Sequence, residues 1–259
     1  MVTGVLPVAL EEATKTIQAF LLTGKEYVCV MTLHGDVEEK DVRSVMEEFV
    51  GEIYQKPPVR AAVKRETRKR RVYSISDLEV DGRQVLFRVS CQAGTYIRKL
   101  AFDVGEVLKV GAHMRELRRV RAGAFTEEKS CTLYDILRVS QAESVEREEL
   151  LKKIVRPMED AFDYVPKIVI RDSAVSAVCH GAELAVPGIV KLSDNIRPGT
   201  SVAIFTLKGE LVALSRASMN SRQVLDEEHG IAAKTVRVVM PADTYPKMWR
   251  KNAEVEVKA

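Results

Sequence analysis

The chain has 259 residues, 46% hydrophobic and 30% charged, with a formal net charge of +3. That supplies the core of one or two globular domains. There is no apolar run of about eighteen residues to span a membrane as a helix, and residues 1–7 lack the basic start and apolar stretch of a secretory signal, so the expectation is a cytoplasmic protein without membrane contact.

Taken in chain order, residues 6–21 carry Leu6, Ala9, Leu10, Ala13, Ile17, Phe20 and Leu21 at helical spacing, with Gly24 as the stop. Residues 26–34 are rich in β-formers and read as a strand buried on both faces. Val42, Val45, Met46, Phe49 and Ile53 predict a helix over 40–53. Gln55-Lys56-Pro57-Pro58 breaks it and opens a basic loop. Residues 72–80 and 84–91 pair as a hairpin around Asp81-Gly82. An amphipathic helix follows over 95–108, then a strand flanked by turns within 112–125, then a largely helical stretch over 132–162.

A boundary falls at Val165-Pro166. Beyond it, short β-like segments at 168–170, 184–186, 201–207, 211–215 and 236–240 alternate with turn signals such as Pro187-Gly188 and Lys208-Gly209. They predict a compact β-barrel of about 75 residues. The fold class is therefore α+β: a mixed, mainly antiparallel sheet with flanking helices over 1–164, a small barrel over 165–247, and a tail over 248–259.

Cys29, Cys91, Cys131 and Cys179 share no CxxC spacing, and His34, His113, His180 and His229 are scattered. Neither a disulfide framework nor a metal site is expected, and the cysteines read as small buried hydrophobes. Charge is local: residues 60–71 read Arg-Ala-Ala-Val-Lys-Arg-Glu-Thr-Arg-Lys-Arg-Arg, residues 115–121 read Arg-Glu-Leu-Arg-Arg-Val-Arg, and acidic residues gather at 143–150 and 225–228. Two basic clusters on a nearly neutral chain fit a polyanion, with a solvated charged face as the plain alternative.

The most specific signal is Gly94-Thr95-Tyr96-Ile97-Arg98-Lys99-Leu100, where a strand passes into a helix. An arginine in the first helical turn can present its planar fork to a carboxylate or phosphate; a surface arginine is the bland reading. Gly94-Thr95-Tyr96-Ile97-Arg98 resembles the GTYIR motif of TruB-type pseudouridine synthases. Gly24-Lys25-Glu26-Tyr27 resembles the motif bearing that family's active-site tyrosine. The run from Gln55 to Arg65 resembles the start of its substrate-gripping thumb, and Gly111-Ala112-His113-Met114-Arg115-Glu116-Leu117-Arg118-Arg119 its last core motif. Asp172-Ser173-Ala174-Val175 and the run from His180 to Gly188 resemble the PUA domain of the archaeal and eukaryotic dyskerin branch. Five motifs in order are far more specific than one.

The resemblance implies conversion of uridine to its carbon-linked isomer within RNA. No atoms are gained or lost, so no cofactor is implied. The base must leave the stack, and a carboxylate must attack the nucleotide. Carried over, Arg98 pairs with that carboxylate, Tyr27 stacks on the base and can act as general base, and Leu117 walls the uracil. Arg60, Lys64, Arg65, Arg68, Lys69, Arg70 and Arg71 would grip phosphates through the thumb, with Arg118 and Arg119 beside them. Lys167, Arg171, His180 and Lys191 are the PUA candidates for RNA. The implied partners are tRNA, or a box H/ACA guide RNA with its rRNA substrate and small ribonucleoprotein subunits.

One departure stands out. The family's nucleophile lies in a pattern like G-T-L-D-P, and Val2-Thr3-Gly4-Val5-Leu6-Pro7 matches only the end of that motif. The aspartate would stand two residues before Met1. Asp36, Asp103 and Asp135 sit in other local contexts. The expectation is a reading frame cut short at its start, with a split enzyme or a non-catalytic RNA-binding scaffold as alternatives, and no isomerase activity from 1–259 alone.

Overall fold

The computed structural model describes residues 2–21, 23–57 and 64–247. It divides into two compact units, the first comprising Met1–Val8 and Leu21–Val155, the second Ala9–Phe20 and Arg156–Ala259.

The first unit is built on β1 (Val2–Gly4), β2 (Lys25–Leu33), β3 (Gly51–Gln55), β4 (Arg68–Asp81), β5 (Gln84–Cys91), β6 (Ala112–Ala122) and β7 (Phe125–Thr126), with α2 (Glu39–Glu48) and α3 (Ile97–Val107). Its strand order is β1-β6-β2-β5-β4-β3, with β7 paired to β6. Only β1 runs parallel to its neighbour; the other pairings are antiparallel. Alternate residues of β2, namely Cys29, Met31 and Leu33, point into one core with Val85, Phe87, Val89 and Leu117, and α2 and α3 supply Val42, Met46, Leu100 and Val104. The opposite face is polar: Arg88 bridges Glu26 and Asp77, and Arg121 donates to Glu26 and Ser90. An antiparallel sheet with one face covered behaves this way, so β2 is not buried on both faces.

The long N-terminal helix does not form. Residues 6–10 are irregular, a 3-10 turn spans Glu11–Thr16, and only Ile17–Leu21 (α1) is α-helical. Leu6 and Val8 stand 74% and 72% exposed. Pro7 supplies no N–H, and no side chain caps the turn, so apolar spacing alone nucleates nothing. The helix expected over 40–53 ends at Glu48, because Gly51 takes φ 118° and starts β3, placing Ile53 in a strand. Two helices, α4 (Leu133–Gln141) and α5 (Ser144–Ile154), follow β7; a reciprocal Thr132–Asp135 capping box begins α4.

The second unit carries β8 (Lys167–Ile170), α6 (Asp172–Cys179), β9 (Leu184–Ala185), β10 (Ile189–Leu192), β11 (Ser201–Phe205), β12 (Leu211–Ala217), α7 (Ser221–Asp226) and β13 (Ile231–Val238). The order is β10-β8-β11-β12-β13-β9. Its two end strands are joined by the three-residue turn Val186–Gly188, so the sheet curls back on itself. Ile168, Ile170, Val175, Ile204 and Val212 fill its core. Sequence reading missed α6, α7 and β10, all shorter than a confident periodic signal. Cys131 is exposed, against expectation, because it lies in the loop before α4; the other three cysteines are buried.

Candidate active site and RNA-binding surfaces

Lys25, Tyr27 and Cys29 project from one face of β2. Across the ladder, Tyr27 stands opposite Arg119, and Cys29 opposite Leu117, both on β6. On the other side Lys25 pairs with Cys91 of β5. Leu117 is 8% exposed and packs within the core of this unit. Tyr27 is half-buried beside it. Burial raises the Tyr27 hydroxyl above its ordinary pKa, the Cys91 thiol adds to that, and the charge and hydrogen bond of Arg119 act against it. Lys25 is 9% exposed and donates to the Thr23 carbonyl at 2.6 Å. Burial lowers its pKa, and the Arg119 charge lowers it further. Burial pushes the Cys91 thiol up to about 11.

Three residues after Cys91 the chain turns at Gly94 and enters α3. Thr95 seals that turn with its amide and hydroxyl, which donate to the Gln92 carbonyl at 3.2 and 2.7 Å. Ile97 and Leu100 anchor α3 in the core. Arg98 is exposed in its first turn, and its guanidinium makes no ion pair or hydrogen bond among the described residues. The GTYIR turn thus starts at the same end of the sheet as Tyr27, with the Arg98 guanidinium uncommitted.

The basic cluster sits on the start of β4 and the segment before it. Arg70 donates to the Gly94 carbonyl at 3.1 Å, and the Gln92 amide donates to Arg71 O at 2.8 Å, so this strand is stapled to the Gly94 turn. Lys69 pairs with Glu52 and Lys64 with Glu66; both pairs are exposed. Arg68 donates to the Lys64 carbonyl at 3.3 Å. Arg65 and Arg71 are exposed. Arg60 lies outside the described residues. Arg118 pairs with Glu127, whereas Arg119 turns towards Tyr27.

In the second unit Lys167 and Lys191 line one open groove of ≈ 480 Å³ together with Glu159, Asp160 and Asp163. Lys167 pairs with Asp163 at 3.2 Å, so that groove is of mixed charge. Arg171 and His180 flank α6, with His180 Nδ1 2.7 Å from the Ser176 carbonyl.

Three aspartates that could be mistaken for a nucleophile are each engaged in structure. Asp36 holds Arg83 in a two-point pair, Asp103 binds Lys99, and Asp135 caps α4. Among the described residues no group of three or more His, Cys, Asp or Glu could hold a metal ion, and no helix is long and apolar enough to cross a membrane.

Sequence reading missed Gln55 and Lys25. Gln55 is 2% exposed, and its side-chain amide engages the backbone of Tyr96. Polar residues beside a double proline look like loop; only tertiary contact reveals such a clamp.

The first unit thus gathers Tyr27, Leu117 and the Arg98-bearing turn on one sheet, and the second is a small curled β-unit. Residues 1–97 match the N-terminal domain of the TruB family of pseudouridylate synthases, 98–163 the C-terminal domain of tRNA pseudouridylate synthase B, and 166–239 the PUA domain. The chain is 55% identical over 249 residues to the probable tRNA pseudouridine synthase B of Methanopyrus kandleri, covering 96% of this chain and 74% of that one. It is 54% identical over 252 residues to the protein of the same description from Pyrococcus furiosus, with 96% and 74% covered. The chain belongs to the TruB family of pseudouridine synthases, which are isomerases. Among solved structures it resembles one in a Cbf5–Nop10–Gar1 complex, with TM-score 0.88, 53% identity, and 95% of this chain and 75% of that one covered. Another, in an H/ACA ribonucleoprotein bound to a substrate RNA containing 2′-deoxyuridine, matches with TM-score 0.85, 51% identity, and 96% and 76% covered.

Proposed function

We propose that this chain binds a structured RNA and receives a flipped uridine against Tyr27 and Leu117, with Arg98 orienting the attacking carboxylate and the PUA unit holding a stem and its 3′ end. The observation that carries this is the shared face of Tyr27 and Leu117 at the sheet end where the Gly94–Arg98 turn begins. An aromatic ring beside an apolar wall holds a base by stacking while excluding water. Lys64, Arg65, Arg68 and Arg71 engage phosphates, which position the RNA without reading its sequence. Lys167, Arg171, His180 and Lys191 are the contacts proposed for the PUA unit.

The relatives described as tRNA pseudouridine synthase B support a tRNA substrate. The structural relatives solved with Nop10 and Gar1, or with substrate RNA in an H/ACA ribonucleoprotein, support a guided rRNA substrate and small protein partners. Because the likeness in fold over nearly the whole chain is to proteins solved in the latter assemblies, a guide-RNA-directed role in the cytoplasm is the reading we favour. The engaged states of Asp36, Asp103 and Asp135 support a further point: residues 1–259 alone bind RNA without isomerising it, since no aspartate here stands in the nucleophile pattern.

The test is to compare purified 1–259 with the same chain preceded by residues completing G-T-L-D-P and the strands ahead of it, using tRNA transcripts and guide–substrate duplexes. Pseudouridine formed only by the extended protein is the expected result. Formation by 1–259 alone would sink the inactivity proposal, and failure of both to bind RNA would favour neither substrate.

A further inference from the structure

Arg119 falls among the phosphate candidates by sequence, yet its surroundings give it other work. Its backbone carbonyl accepts from the Val5 amide at 2.8 Å, and its Nε donates to the Val5 carbonyl at 2.7 Å. The two bonds grip Val5 from the main chain and the side chain of one residue. Gly4 lies against the Arg119 backbone so closely that a Cβ there would overlap its carbonyl oxygen. The parallel register sets Val2, Thr3 and Gly4 beside Leu117, Arg118 and Arg119. From the same position Arg119 stands opposite Tyr27 across the β2–β6 ladder, on the same face, and its guanidinium acts against the burial that raises the Tyr27 hydroxyl.

We propose that Arg119 is a positioning residue for the isomerisation: it couples the Val2–Gly4 strand and Val5, which it grips, to Tyr27, which it faces across the ladder, setting where the stacking ring stands relative to the chain segment that leads into the site. This rests on the reading of Tyr27 as the ring that meets the uridine. A guanidinium suits the task because its planar fork donates in two directions at once. One edge is committed to a backbone carbonyl, which cannot leave, so the other edge is fixed. Lysine, a compact point donor on a flexible stem, would have to choose between the two acceptors. The titratable and charged groups facing Tyr27 are the Arg119 guanidinium from β6 and the Cys91 thiol from β5, with Lys25 one pleat away on β2. Arg119 is the one that favours the phenolate, and it does so against burial and Cys91.

The test uses the full chain labelled with 3-fluorotyrosine, which titrates at lower pH than tyrosine. The position-27 fluorine line is identified by its loss in Tyr27→Phe. In Arg119→Met the titration of that line should move to higher pH, because the charge and the hydrogen bond that lowered it are gone. Arg119→Lys should fall between the two, and it serves alone if Arg119→Met does not fold. Titration curves that coincide in the parent and every folded variant would overturn the proposal. A general loss of stability would not by itself move that pKa in the predicted order.

A second arm isolates the premise. A stem-loop RNA carrying one 5-fluorouridine is added, and its fluorine shift on binding is compared for the parent, Tyr27→Ala and Arg119→Met. Loss of the bound shift in both variants supports the proposal. A shift retained in Tyr27→Ala removes the reading of Tyr27 as the stacking ring. A shift lost in Tyr27→Ala but fully retained in Arg119→Met keeps that reading and overturns the role of Arg119.

Discussion

Gln55 and Tyr96 are joined by a reciprocal pair of hydrogen bonds: the Gln55 amide nitrogen donates to the Tyr96 carbonyl at 3.2 Å, and the Tyr96 amide donates to the Gln55 side-chain oxygen at 2.9 Å. The side chain thus acts like a short extra strand, pairing the end of β3 with the residue that precedes α3. It links the root of the basic segment to the turn that carries Arg98.

Removing that side chain leaves the Tyr96 amide without its partner, whereas the Tyr96 carbonyl keeps the Lys99 and Leu100 amides. Gln55→Leu, close in size, should therefore cost about 1–3 kcal/mol and speed hydrogen exchange at the Tyr96 amide. Gln55→Glu keeps the acceptor but loses the donor and buries a charge, so it should be no better. Unchanged exchange at Tyr96 in Gln55→Leu would show that the pair is incidental.

Charge reversal on the basic segment should flatten the salt dependence of RNA binding. With Arg65, Arg68 and Arg71 changed to Glu, the slope of log affinity against log salt should fall by about 0.7–0.9 for each phosphate that the protein no longer neutralises. Arg70 is left in place because it holds the Gly94 carbonyl. An unaltered slope removes these residues from the RNA interface.

Thiol reactivity should separate Cys131 from the rest. Burial drives the Cys29 thiol up to about 12 and Cys91 up to about 11, and it raises Cys179 as well, so none of these forms thiolate near neutral pH. Cys131 is exposed. A thiol reagent at pH 8 should label Cys131 quickly in the native chain and all four cysteines only after unfolding. Rapid native labelling at Cys91 would contradict the packing around Tyr27.

The second unit should show a pH window set by one carboxylate. Tyr245 and Thr206 both donate to the Glu210 side chain, at 2.6 and 2.8 Å. Those bonds, Tyr245 first, hold Glu210 below its ordinary 4.5, and the bond to Glu210 holds Tyr245 above its ordinary 10.0. A lowered carboxylate contributes stability above 4.5 that is lost as the pH falls through its folded value; a raised phenol contributes below 10.0 and loses it as the pH climbs past its own. Melting temperature measured against pH should decline on both sides, and Tyr245→Phe should flatten both arms. Identical profiles for the two proteins would refute the coupling.

How much of this is legible in the sequence depends on the range of the interaction. The 72–91 hairpin and α3 are readable because Asp81-Gly82 and the Ile97, Leu100, Ala101, Val104 spacing act within a few residues. The 6–21 helix is misread because spacing says nothing of whether a partner covers the stripe. Ile53 is misread because one glycine outweighs a continuing apolar period.

By itself the sequence determined the motif order, the α+β class and the second β-unit, and it nominated Tyr27, Arg98 and Leu117 as candidates, since each rests on local pattern or on resemblance carried by short runs. Only the tertiary structure decided that Leu117 and Arg119 flank Tyr27's strand, that Gln55 clamps Tyr96, that Asp36, Asp103 and Asp135 are already engaged, and that Arg119 faces Tyr27 while Arg118 pairs with Glu127. The physical reason is register. In a sheet the neighbour across the ladder is set by pairing between distant segments, and two bulges along β2–β6 shift which side chains meet.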